Sequence, residues 1–524
     1  MAGTFLSFQT ASRALAASKA SLDVTGNNIA NVNTEGYTRQ RVDLNSISSS
    51  GYTQKYTVPG ASTGLGVEVS QIKQIRDPFL DSRFRAQNAE AGQYDSILSG
   101  LSDLENIYDE VENDGLQSEL SNFVNQLQTL SQSPTSTDFA LVARTAAQKV
   151  TQILNLYANQ TEQVRQQQIY DLKNVVINND FNTTVENIAN LNKQIKDEVI
   201  HGNLPNELFD KRNSLLDKLS GIANIKITTV PEQISEGLTV ENLNVSLYDS
   251  KTGRSLEIIS NGLYNTLSLK QNPLDENFKI EVNSSFGENK EKDVTSFFSA
   301  GSIKGYLDII NGKGSYADTT TSDNTFRGTL YYEKAMDTFA NNFANTLNAL
   351  STSYNTDGTV DQNNPLFSSS SSDGKINSAS IKISDKWSSD PSYIITTSNL
   401  STSTGSGDNV LRMISSLTSD MNFYKDISAT PSGLVFEGNV NQYMSGIIGE
   451  LSLDIELNKT FANTSNNVLS SLATSKESIS GVSLDEEGIN LLAYQKSYNA
   501  AARYLTVLDE AIDKVINGMG IVGR

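Results

Sequence analysis

The 524-residue chain has no cysteine and a single histidine, His201. The first absence removes disulfides, thiolate nucleophiles and zinc–sulfur centres. The second removes any metal site that needs two imidazoles, HExxH included. Positive charge is scarce as well: 40 Lys and Arg stand against 60 Asp and Glu, a formal net charge of −20, whereas a nucleic-acid binder carries a basic face. No stretch approaches the ~18 uninterrupted apolar residues of a membrane span. The opening MAGTFLSFQTASRALAASKASL lacks the basic leader, apolar block and small-residue cleavage site of a secretory signal; a cytoplasmic chain and one exported without cleavage both fit. Apolar residues reach about 40% when Gly is counted and Tyr is not, against a typical 45–50%. Charged residues, at 19%, also fall below the usual ~25%. Ser, Thr, Asn and Gln fill the gap, which suits an elongated molecule with thin cores.

What is present is mostly helical period. Residues 1–32 read as a helix in which Met1, Thr4, Phe8, Ala11, Leu15, Ser18, Leu22, Thr25 and Ile29 alternate by three and four, a heptad seam with few large members. The run Asn27-Asn28-Ile29-Ala30-Asn31-Val32-Asn33-Thr34-Glu35-Gly36-Tyr37 ends it, because Asn bonds its own backbone and Gly36 takes left-handed geometry freely. Residues 37–44 and 66–72 alternate as a small β ribbon around a Ser/Gly/Thr-rich loop. Long helices are predicted through 75–220. One stripe is Tyr94, Ile97, Leu101, Leu104, Tyr108 and Val111; a second is Leu116, Leu120, Phe123, Leu127 and Leu130. Further helical segments run over 139–199 and 206–219. Short β-type runs separated by turn signals fill 222–300 and predict a small inserted sandwich or barrel. Helical spacing returns at 330–350. Residues 353–378 carry little pattern, strands are expected near 379–397 and a helix near 408–421, and a long helix begins at 440 with Val440, Tyr443, Ile447, Leu451 and Ile455 on one face.

The C-terminus carries the strongest pattern. Leu491, Tyr494, Tyr498, Ala501, Leu505, Leu508, Ile512, Val515 and Met519 alternate without a slip, which implies a left-handed coiled coil. A second apolar line, Ile489, Leu492, Tyr504, Val507 and Ala511, widens the face enough to meet more than one partner helix. Ordering a backbone costs on the order of 1–2 kcal/mol per residue, and a buried large apolar side chain returns about 1.5–3 kcal/mol. The N-terminal seam is poor in such residues, so both ends are expected to be weakly ordered until copies pack side by side.

Motifs that carry chemistry elsewhere fail here on context. Gly518-Met519-Gly520-Ile521-Val522-Gly523 matches GxGxxG but follows a helix and has one residue after it. Gly64-Leu65-Gly66 is a turn before a strand, without a phosphate-loop lysine. His201 falls where a helix ends and suits a capping role. Asn355-Thr356-Asp357-Gly358 with Asp361 lacks the closing Glu of a calcium loop. Asp485, Glu486 and Glu487 open the last helix behind a Ser483 cap, where acids complement the helix dipole. Sixty acids permit many carboxylate pairs and the sequence selects none. No catalytic residue, cofactor site or metal site is expected.

The segment from Leu22 through Asn27, Asn28, Asn31, Gly36 and Tyr37 resembles the signature of the bacterial flagellar rod, hook and hook-associated proteins, with Glu35 where that family often has Pro. Gly481-Val482-Ser483-Leu484-Asp485-Glu486-Glu487, then Tyr494-Gln495 and Tyr498-Asn499-Ala500-Ala501-Ala502-Arg503, narrow this to the hook-associated protein 1 family of the hook–filament junction. Arg76-Asp77-Pro78-Phe79-Leu80, Pro205-Asn206-Glu207-Leu208-Phe209-Asp210-Lys211-Arg212 and Gly301-Ser302-Ile303-Lys304-Gly305-Tyr306-Leu307 are similar to that family's interior segments.

The resemblance implies a mainly α fold with inserted β. Terminal coiled-coil helices (1–45 and 481–524) would line an axial tube. A long-helix bundle would be built from both chain halves (46–221 and 301–480, with a short β/loop region near 353–400), and a small all-β domain (222–300) inserted in it. It implies a structural subunit, not an enzyme, which adapts hook to filament and lies outside the cell after flagellar type III export without a cleaved signal peptide. The implied partners are other copies in a ring, the hook protein, a second hook-associated protein and an export chaperone on the C-terminal helix, with neither nucleic acid nor membrane. The assembly interface would use Phe8, Leu15, Leu22 and Ile29 with Leu491, Tyr494, Tyr498, Ala501, Leu505, Leu508, Ile512 and Val515. Another axial subunit (hook, distal rod or third hook-associated protein) and an adhesin-like role of the β domain are the alternatives.

The residues are charged to suit such a division. Residues 1–45 hold four bases and three acids, and residues 481–524 four bases and six acids, so the excess of acid lies between them. Nearly neutral ends can pack on copies of themselves while an acidic exterior stays soluble.

Overall fold

The computed structural model describes residues 2–47, 64–108, 115–235, 238–249, 253–272, 276–284, 286, 292–318, 324–354, 360–398, 406–426 and 432–518. Met1, Val111, Met519, the glycines at 520 and 523, the loop joining the N-terminal ribbon at 48–63 and the residues 355–358 lie outside them.

Helix α1 (Ala2–Ala30) leads to an antiparallel hairpin, β1 (Gln40–Ser46) with β2 (Val67–Gln74). Then come α2 (Pro78–Tyr108), α3 (Leu116–Gln132) and α4 (Thr137–Tyr170). Helix α4 runs unbroken through a π-wound stretch, Asp171–Asn182, into α5 (Thr183–Ile200), and α6 (Asn206–Ile222) turns back. Strands β3 (Ile225–Ser235), β4 (Leu238–Tyr248), β5 (Ser255–Ser260) and β6 (Leu263–Tyr264) form one antiparallel sheet in chain order, and β7 (Thr266–Gln271) pairs with β8 (Phe278–Asn283). Helices α7 (Ser302–Asn311) and α8 (Thr329–Leu350) follow. Two short pairs come next, β9 (Thr352–Tyr354) with β10 (Val360–Asn363) and β11 (Phe367–Ser369) with β12 (Ile381–Ile383). The chain ends with α9 (Asp385–Ser389), α10 (Asp408–Thr418), the hairpin β13 (Met421–Asp426) and β14 (Ser432–Gly438), the long α11 (Val440–Ser480), and α12 (Leu484–Asp513) with a final π turn. The fold is mainly α with small antiparallel sheets.

Two apolar cores hold it. The first gathers α2, α3, α4, α8, α10 and the start of α11. Ile97, Leu101, Leu104 and Tyr108, all five residues of the Leu116–Leu130 stripe, and Val440, Tyr443, Ile447, Leu451 and Ile455 are all buried there. At its centre Phe343 meets Phe339, Phe123 and Phe367, and Phe367 meets the single tryptophan, Trp387. The second core lies where Leu172, Ile177, Phe181, Val185 and Ile188 face Val245, Leu247, Ile258, Leu267 and Ile280. Strands therefore pack on helix.

Several sequence readings are corrected. The inserted strands close neither a sandwich nor a barrel, because their inner face is covered by α5 and the π-wound stretch instead of by a second sheet. Residues 353–378 are not patternless: they hold β10 and β11 and bury Leu366 and Phe367. The strands expected near 379–397 reduce to β12, after which Ser384 caps α9 and buries Trp387. The hairpin β13–β14 has no counterpart in the sequence reading. Residues 2–30 and 484–513 are helical, and α1 and α12 lie along each other.

Candidate assembly interface

Within the pair, α12 turns its predicted seam toward α1. Tyr494, Tyr498, Ala501, Leu505, Leu508 and Ile512 are half-buried, while Leu491 and Val515 at the two ends are exposed. The second line stays open: Ile489 is 69% exposed, Leu492 58% and Val507 60%. On α1 the predicted seam is matched in part: Ala11 and Thr25 lie inside, while Ala17, Ser21, Val24 and Asn28 beside it are buried as well. Phe8 is exposed, Leu15, Leu22 and Ile29 are half-buried, and the residues most removed from solvent are Ala11, Ala17, Ser21, Val24, Thr25 and Asn28. Small and polar side chains take the inner positions because the helix is approached closely from two sides, by α12 and by the β1–β2 hairpin. The backbone of Gly66 lies so near Thr10 that a Cβ there would sit 3.1 Å from its methyl, and Arg13 donates to the Leu65 carbonyl. A search for large apolar residues passes over such a face.

Where the pair meets the rest of the molecule, polar side chains are held in a dense network. Asn28, 1% exposed, uses its carboxamide as a substitute strand: Nδ2 donates to the Gln40 carbonyl (2.9 Å) and Oδ1 accepts the Gln40 N–H (3.0 Å). The same Oδ1 accepts the Tyr37 hydroxyl (3.0 Å), and Nδ2 also reaches Glu487 (3.2 Å). Burial, then the charges of Asp210, Glu207 and Glu487, push Tyr37 up to about 12, which keeps its phenol a donor. The turn before it is closed by Asn31, whose Nδ2 donates to Asn27 Oδ1 (2.8 Å) and to the Asn27 carbonyl, and by Gly36 at φ +78°.

Ser483 caps α12, its Oγ accepting the Glu486 N–H, and Asp485 and Glu486 sit exposed in the first turn. Glu487 does more than complement a dipole. It is 2% exposed and accepts Arg39 Nε at 2.8 Å, while Arg39 also pairs with Glu486 at 2.6 Å and donates its N–H to the Ser480 carbonyl. Gly481 must lack a side chain because the Glu477 carbonyl would lie 2.5 Å from a Cβ.

Two of the interior motifs converge on the same place. Arg76 holds Asp81 with two nitrogens (3.1 and 3.2 Å) and approaches Asp210 at 3.8 Å. Asp210 accepts from Gln74 and the Thr38 N–H, and burial still raises its carboxyl. Burial works against Asp81 too, but the Arg76 hydrogen bond and the nearby cations win and lower it. Lys476, from the end of α11, bridges Asp81 (3.3 Å) and Asp217 (2.5 Å). Four separated sequence motifs thus form one joint between terminal pair and helical body. Arg39, Asp81, Asp217 and Lys476 belong to it, though the sequence reading gave them no role. Asp81 and Arg39 sit beside motif residues, whereas Asp217 and Lys476 carry no signal beyond their charge.

Among the described residues no cluster of three His, Asp or Glu side chains could hold a metal, and no helix is long and apolar enough to cross a membrane. His201 ends α5 with Nδ1 2.7 Å from the Asp197 carbonyl.

A family model for the helical domain of flagellar hook-associated protein FlgK matches residues 101–367, and one for flagella basal body rod proteins matches residues 8–38. Flagellar hook-associated protein 1 of Bacillus subtilis is 32% identical over 531 residues, covering 100% of each chain. The chain belongs to the flagellar hook-associated protein 1 family. Flagellar hook-associated protein 1 of Salmonella typhimurium is 24% identical over 559 residues, 96% of this chain and 98% of its own. The solved structure of the flagellar hook junction protein FlgK from Burkholderia pseudomallei aligns at 20% identity over 55% of this chain and 46% of its own, with a TM-score of 0.43. Membership in the hook-associated protein 1 family makes the chain a structural component of the bacterial flagellum, in a family not known for enzymatic activity.

Proposed function

We propose that this chain is the adaptor that joins hook to filament. Copies of it pack laterally through the α1–α12 pair, a coiled coil at the axis, while the bundle built from 46–221 and 301–480 and the β insertion of 222–300 surround it. The observation that carries this reading is the unpartnered second line of α12. The first seam is spent on α1, and Ile489, Leu492, Tyr504 and Val507 remain in solvent on the far side of the same helix. Exposed apolar residues in one line mark an interaction surface, and a second copy offers the same kind of surface in return. The chain would travel through the flagellar type III route, stay outside the cell, and be chaperoned through α12, whose amphipathic face fits an apolar groove. Above and below it would meet a second hook-associated protein and the hook protein.

The test is complementation of a deletion strain. Absence of the protein should leave hooks that carry no filaments in electron micrographs. Val507→Asp should fold as the parent does yet fail to restore motility, and Leu505→Asp should fail because it also opens the pairing with α1. Normal filaments on cells that carry Val507→Asp would refute the lateral role of this face, and a deletion strain without hooks would make the protein a hook subunit instead.

A further inference from the structure

The helical body also holds apolar side chains in solvent, and they sit where charge is missing. Along α11, Leu453, Leu457, Phe461 and Val468 recur at helical spacing on one side, and all four are exposed. That side holds no acid or base from Leu453 to Ile479. The exposed charges of the span, Glu456, Lys459 and Glu477, fall on another side of the helix. Residues 460–475, TFANTSNNVLSSLATS, contain no charge at all, in a chain that is 19% charged.

Helix α4 repeats the condition on a different flank. From Leu141 to Tyr170 its exposed residues are Leu, Val, Thr, Gln, Asn and Tyr with a single charge, Lys149, which Glu119 neutralises at 3.2 Å. Leu156, 51% exposed, lies midway. Helices α2 and α8 stand between α4 and α11, each packed on both. The other sides of the two outer helices, with Ala143, Ala147 and Val150 on α4 and Leu451, Ile455 and Ala462 on α11, are buried in the body.

Interface cores are depleted in charge, and an apolar line in solvent marks an interaction surface. The net charge of −20 selects the occupant. A basic partner would call for an acidic face, whereas a copy of this chain, itself acidic, is repelled everywhere except at a face that carries no charge. The two faces also match in length, about 39 Å for 453–479 and about 44 Å for 141–170 at 1.5 Å per residue. They are unlike surfaces of one molecule, so joining them is head-to-tail, the arrangement that generates rings and helical tubes.

We propose that the charge-free side of α11 in one copy packs against the outer side of α4 in the next, so that the body joins neighbours as the terminal pair does. This rests on the lateral packing of copies and gives the body its share of it. The chain has no cysteine, so two introduced thiols can report the contact. Leu156→Cys and Val468→Cys stand near the middle of their faces and come together whichever way the helices run. Assembled junctions that carry both substitutions, treated with a bifunctional thiol reagent, should give a ladder of dimers, trimers and higher forms, while either substitution alone gives monomers. Monomers from the double variant, or dimers from a single one, overturn the proposal. Leu457→Asp and Leu156→Asp, each at an exposed position, should leave the unfolding midpoint where it was. Each should cut the share of hooks that bear filaments about tenfold or more, as a carboxylate buried without a partner does. If the two-thiol chain does not assemble, these variants decide, and normal filaments with both overturn the proposal. Filaments lost with Val507→Asp but kept with both body variants sink this contact alone, and the reverse pattern sinks the role of α12 alone.

Discussion

A carboxylate that is 2% exposed must be paired, and Glu487 is paired with both Arg39 and Asn28. Truncating it leaves a half-buried guanidinium with only the exposed Glu486 and leaves one Asn28 contact unmade. Glu487→Ala should therefore weaken the joint by about 2–3 kcal/mol. Because α12 buries little else, the loss stays local. Amide exchange along α12 should accelerate on the order of a hundredfold, while the unfolding midpoint read from Trp387, buried in the first core, stays where it was. Glu333 is the opposite case. Burial, then the nearby Asp337 charge, push it up to about 7 from 4.5, and one of its oxygens has no hydrogen-bond partner. The folded chain holds that proton up to pH 7 and the unfolded chain loses it near 4.5, so this group's contribution to stability falls as pH rises through that window. Glu333→Gln should raise the melting temperature at pH 8 and change it little at pH 4, as measured by calorimetry; an equal effect at both would contradict the assignment.

At the level of helices, close approach decides what each position tolerates. Helix α7 lies on α2 so tightly that a Cβ on Gly305 would sit 2.5 Å from the Gln93 carbonyl, and α6 comes as close, where a Cβ on Gly92 would lie 2.2 Å from the Gly221 carbonyl. Gly305→Ala should cost about 1–3 kcal/mol despite alanine's better helix propensity. Gly26→Ala on α1, with nothing within 4 Å of the new methyl, should instead gain about 0.5–1 kcal/mol; urea unfolding of the two variants gives opposite signs. The same contrast explains what could be read from the chain. Stripes such as Leu116, Leu120, Phe123, Leu127 and Leu130 announce themselves because large apolar residues recur at the helical period. The β1–β2 ribbon was legible from its period-two alternation, and the joint was visible as motifs without its connections. The inner face of α1 was not legible, since Ala17, Ser21 and Asn28 are small or polar and are buried by proximity alone. Nor was β10 or β11, where Ser and Asn surround two buried residues, Leu366 and Phe367, whose partners are remote in sequence.

Across the whole molecule, the ends and the middle follow different rules. Nearly neutral tails expose apolar lines, and the body between them carries the acid excess and two cores. Those cores are not joined by a linker. The first takes Ala140, Ala143, Ala147, Val150 and Leu154 from α4, and the second takes Leu172, Ile177, Phe181, Val185 and Ile188 from the continuation of the same helix. One rod from Thr137 to Ile200 is thus embedded in both. Helix α7 does the same over a shorter span, with Ile309 in one core and Ile303, Leu307 and Ile310 in the other. A body built this way has no swivel at its waist. Torque applied at one end reaches the other through a spar of backbone hydrogen bonds in series, so the molecule twists as a single stiff strut or breaks a helix.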